Sequence, residues 1–284
     1  MQPLISAKDI IVKSFTMYRE HFGLMSKYLF ILFVPTALLR IMRNIVDPLL
    51  IDTANSEVLS AAVQIGHLLL SLVGIFFIFW LTISIIRTCS DIYRGIELKN
   101  VHDELADTRG LIWPAILASI ASSLVSLVWF IPIAFIVQFD FLQFMTFLGT
   151  GIGLFWTFAA MIPAAITGLY FIFAPYEVVI QKQHSVMKSL AASLTLLKNR
   201  WWKTLWLLGV PWVTFFFLAY IPKKTIAFTQ LLLPLYLGNG TTEHVLAALL
   251  VSLIYILVGL FFTPLVVFAK VILYAELKKT ARSK

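Results

Sequence analysis

The sequence predicts an all-α integral membrane protein with six transmembrane helices, and two observations lead to this fold class. First, 60% of the 284 residues are hydrophobic, only 13% are charged and the mean hydropathy is +0.92, whereas soluble domains are about 45–50% apolar and about 25% charged. Second, the apolar runs are long and continuous, which indicates helices rather than the alternating strands of a barrel. This composition excludes a water-soluble enzyme and a disordered chain.

Six apolar runs are the predicted spans. A bilayer core about 30 Å thick needs about 20 apolar residues for one helical crossing. The runs cover residues 24–39, 61–86, 111–137, 147–173, 201–221 and 245–274. Helices are the expected form because backbone polar groups in lipid must be satisfied within the segment.

A shorter and more polar helical segment precedes the first, third and fifth spans. The first begins at Ser6 with Asp9 three residues later, an N-terminal capping pattern, and the others begin at Asn100 and Ser185. Such amphipathic helices, with Lys or Arg at the polar edge, lie well at an anionic membrane surface. The second segment is acidic, so we expect it to rest on protein rather than on lipid.

The order of surface helix, span, loop and span recurs three times, which predicts one polytopic membrane domain over 1–284 built from three repeats. The repeats would cover 6–95, 96–180 and 181–276. Pro175 and Pro264 near the ends of the second and third repeats, 89 residues apart, favour this interpretation. The alternative is that any six-span protein with short outer loops looks roughly periodic.

The positive charges predict the orientation in the membrane. Of the 22 Lys and Arg residues, 18 fall on the side that holds both termini, among them Arg87 and Arg94 in the second connection. Because cytoplasmic loops carry the positive excess, we expect a multi-pass protein of the cytoplasmic (inner) membrane with cytoplasmic N- and C-termini. This placement explains the net charge of +8 without nucleic acid.

Polar residues deep in the spans are scarce. His67 lies within the second span, about one turn after Gln64, and these two residues form a weak candidate polar site. His67 could act as a proton relay or polar ligand, or it could be a neutral core histidine that donates to a carbonyl of a neighbouring helix.

Other residue combinations predict no chemistry. The run His102-Asp103-Glu104 resembles part of a metal or acid–base cluster, but neighbouring residues on a helix point in different directions. We therefore expect a solvated helix face. Cys89 is the only cysteine, which argues against a disulfide and a cysteine-based zinc site. We predict no catalytic residue, no cofactor-binding residue and no metal ligand.

One region resembles a known family. It runs through Ala-Pro-Tyr-Glu-Val-Val-Ile at 174–180, an amphipathic helix with Ser-Leu-Ala-Ala-Ser-Leu at 189–194, and Trp-Trp-Lys-Thr-Leu at 201–205. These segments resemble the membrane domain of bacterial glycerophosphoryl diester phosphodiesterases and related multi-pass inner-membrane proteins. The resemblance implies the multi-pass architecture. It does not imply phosphodiesterase activity, because the chain lacks a catalytic barrel with its metal ligands.

The sequence thus favours a non-catalytic protein with an interaction, scaffold or membrane-homeostasis role. The expected partners are membrane lipid, a second copy of the chain or another membrane protein. The alternative is a transporter or permease component for a lipid-like or small substrate, because kinked helices at internal repeats line transport sites.

Overall fold

The structure, a computed structural model, describes residues 4–41, 57–132, 151–237 and 242–282. In these ranges the chain forms helices and no strands. The α-helices are α1 (Ala7–Glu20), α2 (Phe22–Ile41), α3 (Glu57–Arg94), α4 (Val101–Thr108), α5 (Ile112–Leu127), α6 (Gly151–Phe171), α7 (Ala174–Gln181), α8 (Val186–Leu197), α9 (Trp201–Leu237) and α10 (Thr242–Arg282). Short 3-10 turns, Arg109–Leu111 and Val128–Phe130, lie on either side of α5.

Six helical segments in the described ranges are long and apolar enough to cross a membrane, which confirms the predicted fold class. They are Phe22–Leu39, Gln64–Arg94, Val101–Phe130, Phe155–Gln181, Trp201–Thr229 and Leu246–Ala281. The predicted end of the third span at Val137 and the predicted start of the fourth at Phe147 lie outside the described residues.

Several helices continue beyond the predicted ends of their spans, and α3 shows why. The sequence placed Arg87 and Arg94 in a connection, but α3 runs through both residues to its end. Arg87 is 9% exposed and pairs with carboxylates of α4. A hydropathy pattern predicts the end of a span at such a charge. It carries no information about Glu104 on another helix, which neutralises the charge.

The three short segments predicted before the first, third and fifth spans form the helices α1, α4 and α8, and their N-terminal residues are the expected ones. Ser6 Oγ accepts a hydrogen bond from the Asp9 backbone N–H at 3.1 Å. Asn100 and Ser185 occupy the N-cap positions of α4 and α8 without a side-chain capping bond. Capping of α1 is thus confirmed in detail, whereas the other two helices begin where expected without that bond.

The chain divides into two compact units. One comprises residues 5–109 and 208–273 and holds α1 to α4 with most of α9 and α10. Within it α2 and α3 pack antiparallel, because Tyr28 contacts Thr88 near one end while Leu39 lies against Gly74 near the other. A Cβ atom at Gly74 would lie 2.6 Å from Leu39 Cδ1, so a larger residue at this position would require the end of the Leu39 side chain to move.

The other unit comprises residues 1–4, 110–207 and 274–284. Here α5 packs against α6, α7 and α8. Ser193 Oγ in α8 donates to the Tyr170 carbonyl of α6 at 2.7 Å. The α6–α7 break lies beside Pro175, which occupies the first turn of α7, where the missing N–H of proline costs no helical bond.

Many large apolar side chains are exposed in both units. Large side chains that are more than half exposed include Phe30 and Leu68 in one unit and Trp113, Phe155 and Ile162 in the other. Buried positions, in contrast, include Ser84, Arg87, Thr108, Glu177 and Ser193. A chain with apolar residues outside and polar residues inside is suited to a lipid environment.

Candidate functional site

The structure does not bring Gln64 and His67 into a described polar cluster. Gln64 has an exposed side chain on α3. His67 belongs to the same helix, but its side chain lies outside the described residues. The described neighbours on this stretch, Ile65, Leu68 and Leu69, are apolar and exposed. The polar site of these two residues therefore stays a prediction.

A polar cluster that the sequence analysis missed lies where α3 meets α4. We call it the Arg87 cluster, formed by Arg87 with Glu104, Asp107 and Lys99. Arg87 Nε lies 3.0 Å from Glu104 Oε1, and Arg87 Nη2 lies 3.3 Å from Asp107 Oδ2. The guanidinium group therefore lies between two carboxylates one turn apart on α4, with a hydrogen bond to Asp107 Oδ2 and an ion-pair contact to Glu104 Oε1.

The charges of the Arg87 cluster cancel. Lys99 donates a hydrogen bond to the same Asp107 oxygen. This bond and the charge of Asp107 raise the pKa of the exposed Lys99 ammonium above its ordinary value. The sequence of partners is thus Glu104, Arg87, Asp107 and Lys99, with alternating signs. The side chain of Glu104 is 3% exposed and that of Asp107 is 40% exposed, so the cluster extends from the interior to the surface.

Hydroxyl groups support the Arg87 cluster. Ser84 Oγ and Thr108 Oγ1 lie 2.7 Å apart, and both residues are fully buried. Trp80 Nε1 donates to Thr108 Oγ1 at 3.3 Å, and Tyr28 Oη lies 2.9 Å from Thr88 Oγ1. A buried polar group without a partner is costly, so these bonds fix α4 against α3 and α3 against α2.

Helical spacing explains why these side chains meet. On α3 the contributing residues recur at intervals of four, three and one, which places Trp80, Ser84, Arg87 and Thr88 on one face. On α4 the two carboxylates and Thr108 fall within one turn. The expectation that the acidic segment rests on protein is confirmed.

The predicted solvated face at 102–104 is correct for two residues and wrong for the third. His102 and Asp103 have side chains that are 95% and 63% exposed. Glu104 is 2% exposed and faces Arg87. No local pattern indicates this partner, because Arg87 lies 17 positions earlier, on another helix.

A second polar cluster lies in the other unit, and we call it the Lys278 cluster. Lys278 Nζ donates to Glu177 Oε2 at 2.9 Å, to Oε1 at 3.1 Å and to Tyr274 Oη at 3.1 Å. The Glu177 side chain is 5% exposed and that of Lys278 is 22% exposed. The ammonium group also lies 5.4 Å from the centre of the Tyr274 ring. The cluster links α7 to the last turns of α10, again with charges that cancel.

A neighbouring contact joins α10 to the residues just before α9. Arg200 Nη1 donates to Thr280 Oγ1 at 2.7 Å, and its Nη2 donates to the Thr280 carbonyl at 3.4 Å. Thr280 is 5% exposed. Two basic side chains therefore fix the last turns of α10. Lys278 belongs to α10 and binds Glu177 of α7, and Arg200, just before α9, binds Thr280 of α10.

The geometry of both clusters is that of ion pairs joining helices. In the described part of the chain, no group of three or more His, Cys, Asp and Glu residues is arranged to hold a metal ion. Cys89 is fully buried next to the Arg87 cluster. The arrangement can neutralise charge and fix helix positions.

Comparison of the chain with protein-family models, with curated proteins and with solved structures finds no match. The resemblance to the membrane domain of glycerophosphoryl diester phosphodiesterases accordingly stays a prediction. What can be said of function depends on the chain's own geometry.

Proposed function

We propose that the chain is a non-catalytic, six-span protein of the cytoplasmic (inner) membrane that works by interaction, as a scaffold or in membrane homeostasis. One observation carries this proposal: within each of the two clusters, the buried charges on one helix pair with opposite charges on another helix. Arg87 is occupied by two carboxylates and Glu177 by Lys278. Polar atoms used in this way stabilise an assembly of helices, and the outer faces are left for lipid, a second copy or another membrane protein.

A threefold repeat is part of the proposal, and local geometry at matching positions supports it. Gly95 and Lys182, 87 residues apart, both adopt positive φ angles, of 67° and 52°, directly after a helix. Each is followed by a short connection to a surface helix. Left-handed residues of this kind commonly end helices.

The surface helices give further support for the repeat. Thr108 of α4 and Ser193 of α8, 85 residues apart, each bond to the second span of the preceding predicted hairpin. The ring of Tyr18 in α1 packs edge-on against Phe261 of α10 at 5.4 Å. The helices α4 and α8 thus contact the second span of the hairpin before them. The helix α1 contacts α10, the second span of the last hairpin, as it would if the three repeats were arranged in a ring.

We propose cytoplasmic termini on the basis of the charge distribution, since 18 of the 22 basic residues fall on that side. We also propose membership of the family that the 174–205 region resembles, without its phosphodiesterase activity. A reporter that is active only outside the cytoplasm, fused after Lys284, is expected to stay inactive. An active reporter would contradict the orientation.

Purified protein in liposomes tests the non-catalytic proposal. We expect no hydrolysis of glycerophosphodiesters or phospholipids above empty liposomes. Turnover that is lost in Glu177→Gln, while Glu276→Gln retains it, would refute the proposal and place chemistry in the Lys278 cluster. Both variants remove one carboxylate charge from the same region, so a general loss of charge would affect them alike.

The alternative function is a transporter or permease component, and a serine-lined groove favours it. The groove, of about 470 Å³, lies along α5, α6 and α7 within one unit and is lined by Ser119, Ser122, Ser126, Gly168 and Pro175. Ser122 Oγ donates to the Ala118 carbonyl at 2.9 Å and keeps acceptor lone pairs. A lipid-like or small polar substrate could bind to such hydroxyls.

Scrambling of a fluorescent phospholipid in proteoliposomes decides between the two functions. The leading proposal predicts that proteoliposomes scramble the fluorescent phospholipid at the same rate as protein-free liposomes. A faster rate that falls in Ser122→Val or Gln64→Ala, but persists in the exposed control Thr195→Val, would replace it with the transport function.

A further inference from the structure

A groove at the end of α2 that is remote from α1 contains a basic side chain in otherwise mainly apolar surroundings. It lies within one compact unit, has a volume of about 420 Å³ and falls in the size range of small-molecule sites. Its lining includes Thr36 and Leu39 of α2, Lys223 of α9, and Tyr255, Gly259 and Leu260 of α10.

Lys223 is the charged group of this groove. Its ammonium group lies 5.1 Å from the centre of the Tyr255 ring, a cation–π distance. Among the described residues no carboxylate pairs with Lys223, in contrast to the buried basic residues of the two clusters. A cation within a membrane span is costly unless its charge is compensated, and an anion in the groove would lower that cost.

Gly259 allows Lys223 to lie across α10. A Cβ atom at this position would lie 2.7 Å from Lys223 Nζ and 3.0 Å from its Cε. The absence of a side chain at Gly259 therefore lets the lysine stem follow the helix surface, with the ammonium group at the wall of the groove. Leu39 and Leu260 contribute apolar parts of the wall.

The adjacent lysine does not share this environment. Lys224 is exposed and lies 5.3 Å from the ring of Tyr220, one turn earlier on its own helix. It does not line the groove. The two lysines have the same chemistry and neighbouring positions, so Lys224 is a matched control for Lys223.

We propose that the groove binds one anionic phospholipid, with its phosphate at Lys223 Nζ and an acyl chain along Leu39 and Leu260. The position along α2 supports a lipid of the leaflet remote from α1, since Leu39 is 17 residues beyond Phe22, about 25 Å along a helix. Charge complementarity selects the phosphate, and the apolar walls select a lipid over a water-soluble anion. The proposal requires only that these helices span the membrane and is independent of the proposed function.

Native mass spectrometry of the detergent-solubilised full chain tests the site, with phosphatidylglycerol and phosphatidylcholine as probes. We expect the wild type to retain one phosphatidylglycerol with a preference of about tenfold or more, as expected for a hydrogen bond to a charged group. Lys223→Gln should reduce this preference to about a third or less, whereas Lys224→Gln should keep it. Equal preferences in the two variants would overturn the site.

Two further variants show whether position and charge both matter. Lys223→Arg keeps the charge and should retain the preference, which also shows that the groove tolerates substitution. Gly259→Ala displaces the ammonium group and should weaken the preference severalfold. If Gly259→Ala binds like the wild type, the proposed position of the phosphate is wrong.

Glycerol 3-phosphate in excess separates a lipid site from a site for a free phosphate. We expect it to leave the bound phosphatidylglycerol in place, because it lacks the acyl chains that contact the groove. Displacement of the lipid by this excess would overturn the assignment to a phospholipid.

Discussion

Arg87 and Lys223 are two basic residues of the same compact unit, and each lies within a span, but they are neutralised in different ways. Arg87 is 9% exposed, and two carboxylates of α4 lie within 3.3 Å of its guanidinium group. Lys223 is half-buried beside an open groove and rests on an aromatic ring. The chain supplies the counter-charge for one residue and, in our proposal, leaves the other to lipid.

The two residues show that the effect of a buried charge on stability and on binding depends on where its counter-charge lies. A charge that is paired within the protein fixes two helices and has a large effect on stability when its partner is removed. A charge beside an open groove has a small effect on stability and a large effect on what binds there.

Removal of the Arg87 charge should have the largest effect. Arg87→Met leaves Glu104, whose side chain is 3% exposed, without its counter-charge, and breaking a buried pair in this way costs about 3 kcal/mol of unfolding free energy. Reversible unfolding in mixed micelles measures the loss. Arg94→Met, on the same helix but exposed, is the control and should change stability by about 0.5 kcal/mol or less. Equal losses in the two variants would remove the distinction between paired and exposed arginines.

The Lys278 cluster should respond in the same direction but less strongly. Lys278→Met leaves Glu177 buried and unpaired, at an expected cost of about 2 kcal/mol, because the 22% exposed lysine is partly hydrated already. The adjacent Lys279, which is exposed, provides the control Lys279→Met. Thermal unfolding of the two variants in the same detergent makes the comparison. If Lys279→Met is the more damaging, the cluster does not hold α10.

The sequence was sufficient for the fold class but insufficient for these clusters, and the reason is physical. Apolar runs of membrane length predict spans because the bilayer is a uniform solvent. The burial of Arg87, by contrast, depends on Glu104 of a different helix, and that of Glu177 depends on Lys278, 101 positions later. Such pairings follow from helix packing, and a hydropathy profile contains no information about which helices pack together. The local capping of α1 by Ser6 was predictable because its donor is only three residues away.

The hydroxyl bonds beside the Arg87 cluster should contribute a smaller amount. Thr108→Val removes the hydroxyl that bonds to Ser84 and accepts from the Trp80 indole while keeping the side-chain volume, and the indole keeps its bond to the Leu105 carbonyl. We expect a loss of about 1 kcal/mol. Thr195→Val, at an exposed position of α8, is the control. A Thr108→Val protein as stable as the wild type would show that the charges alone hold α4.

Tyr18 should give the smallest effect at neutral pH. Its hydroxyl is buried and has no hydrogen-bond partner among the described residues, so Tyr18→Phe should leave stability at pH 7 unchanged or slightly higher. Burial raises the pKa of Tyr18 to about 12 from its ordinary value of 10.0. The native phenol therefore stays neutral where the unfolded chain ionises, and stability falls as the pH rises from 10 to 12.

Unfolding of Tyr18→Phe and the wild type at pH 7 and pH 11 measures this difference. The variant should lose less stability than the wild type between the two pH values. A larger loss in the variant would mean that the folded protein lowers the pKa of Tyr18 instead of raising it.

A double-mutant cycle of Arg87→Met and Glu104→Leu tests whether the Arg87–Glu104 pair joins α3 to α4. If the pair serves to join helices, Arg87→Met should lose about 3 kcal/mol and Glu104→Leu only about 1 kcal/mol, because Arg87 keeps Asp107 in the second variant. The double variant should unfold within about 1 kcal/mol of the wild type, because an apolar pair replaces an ion pair without leaving a buried charge. Asp107 keeps Lys99 as its partner in all variants. A double variant that loses the sum of the two single losses would contradict the claim that these charges act as a structural pair.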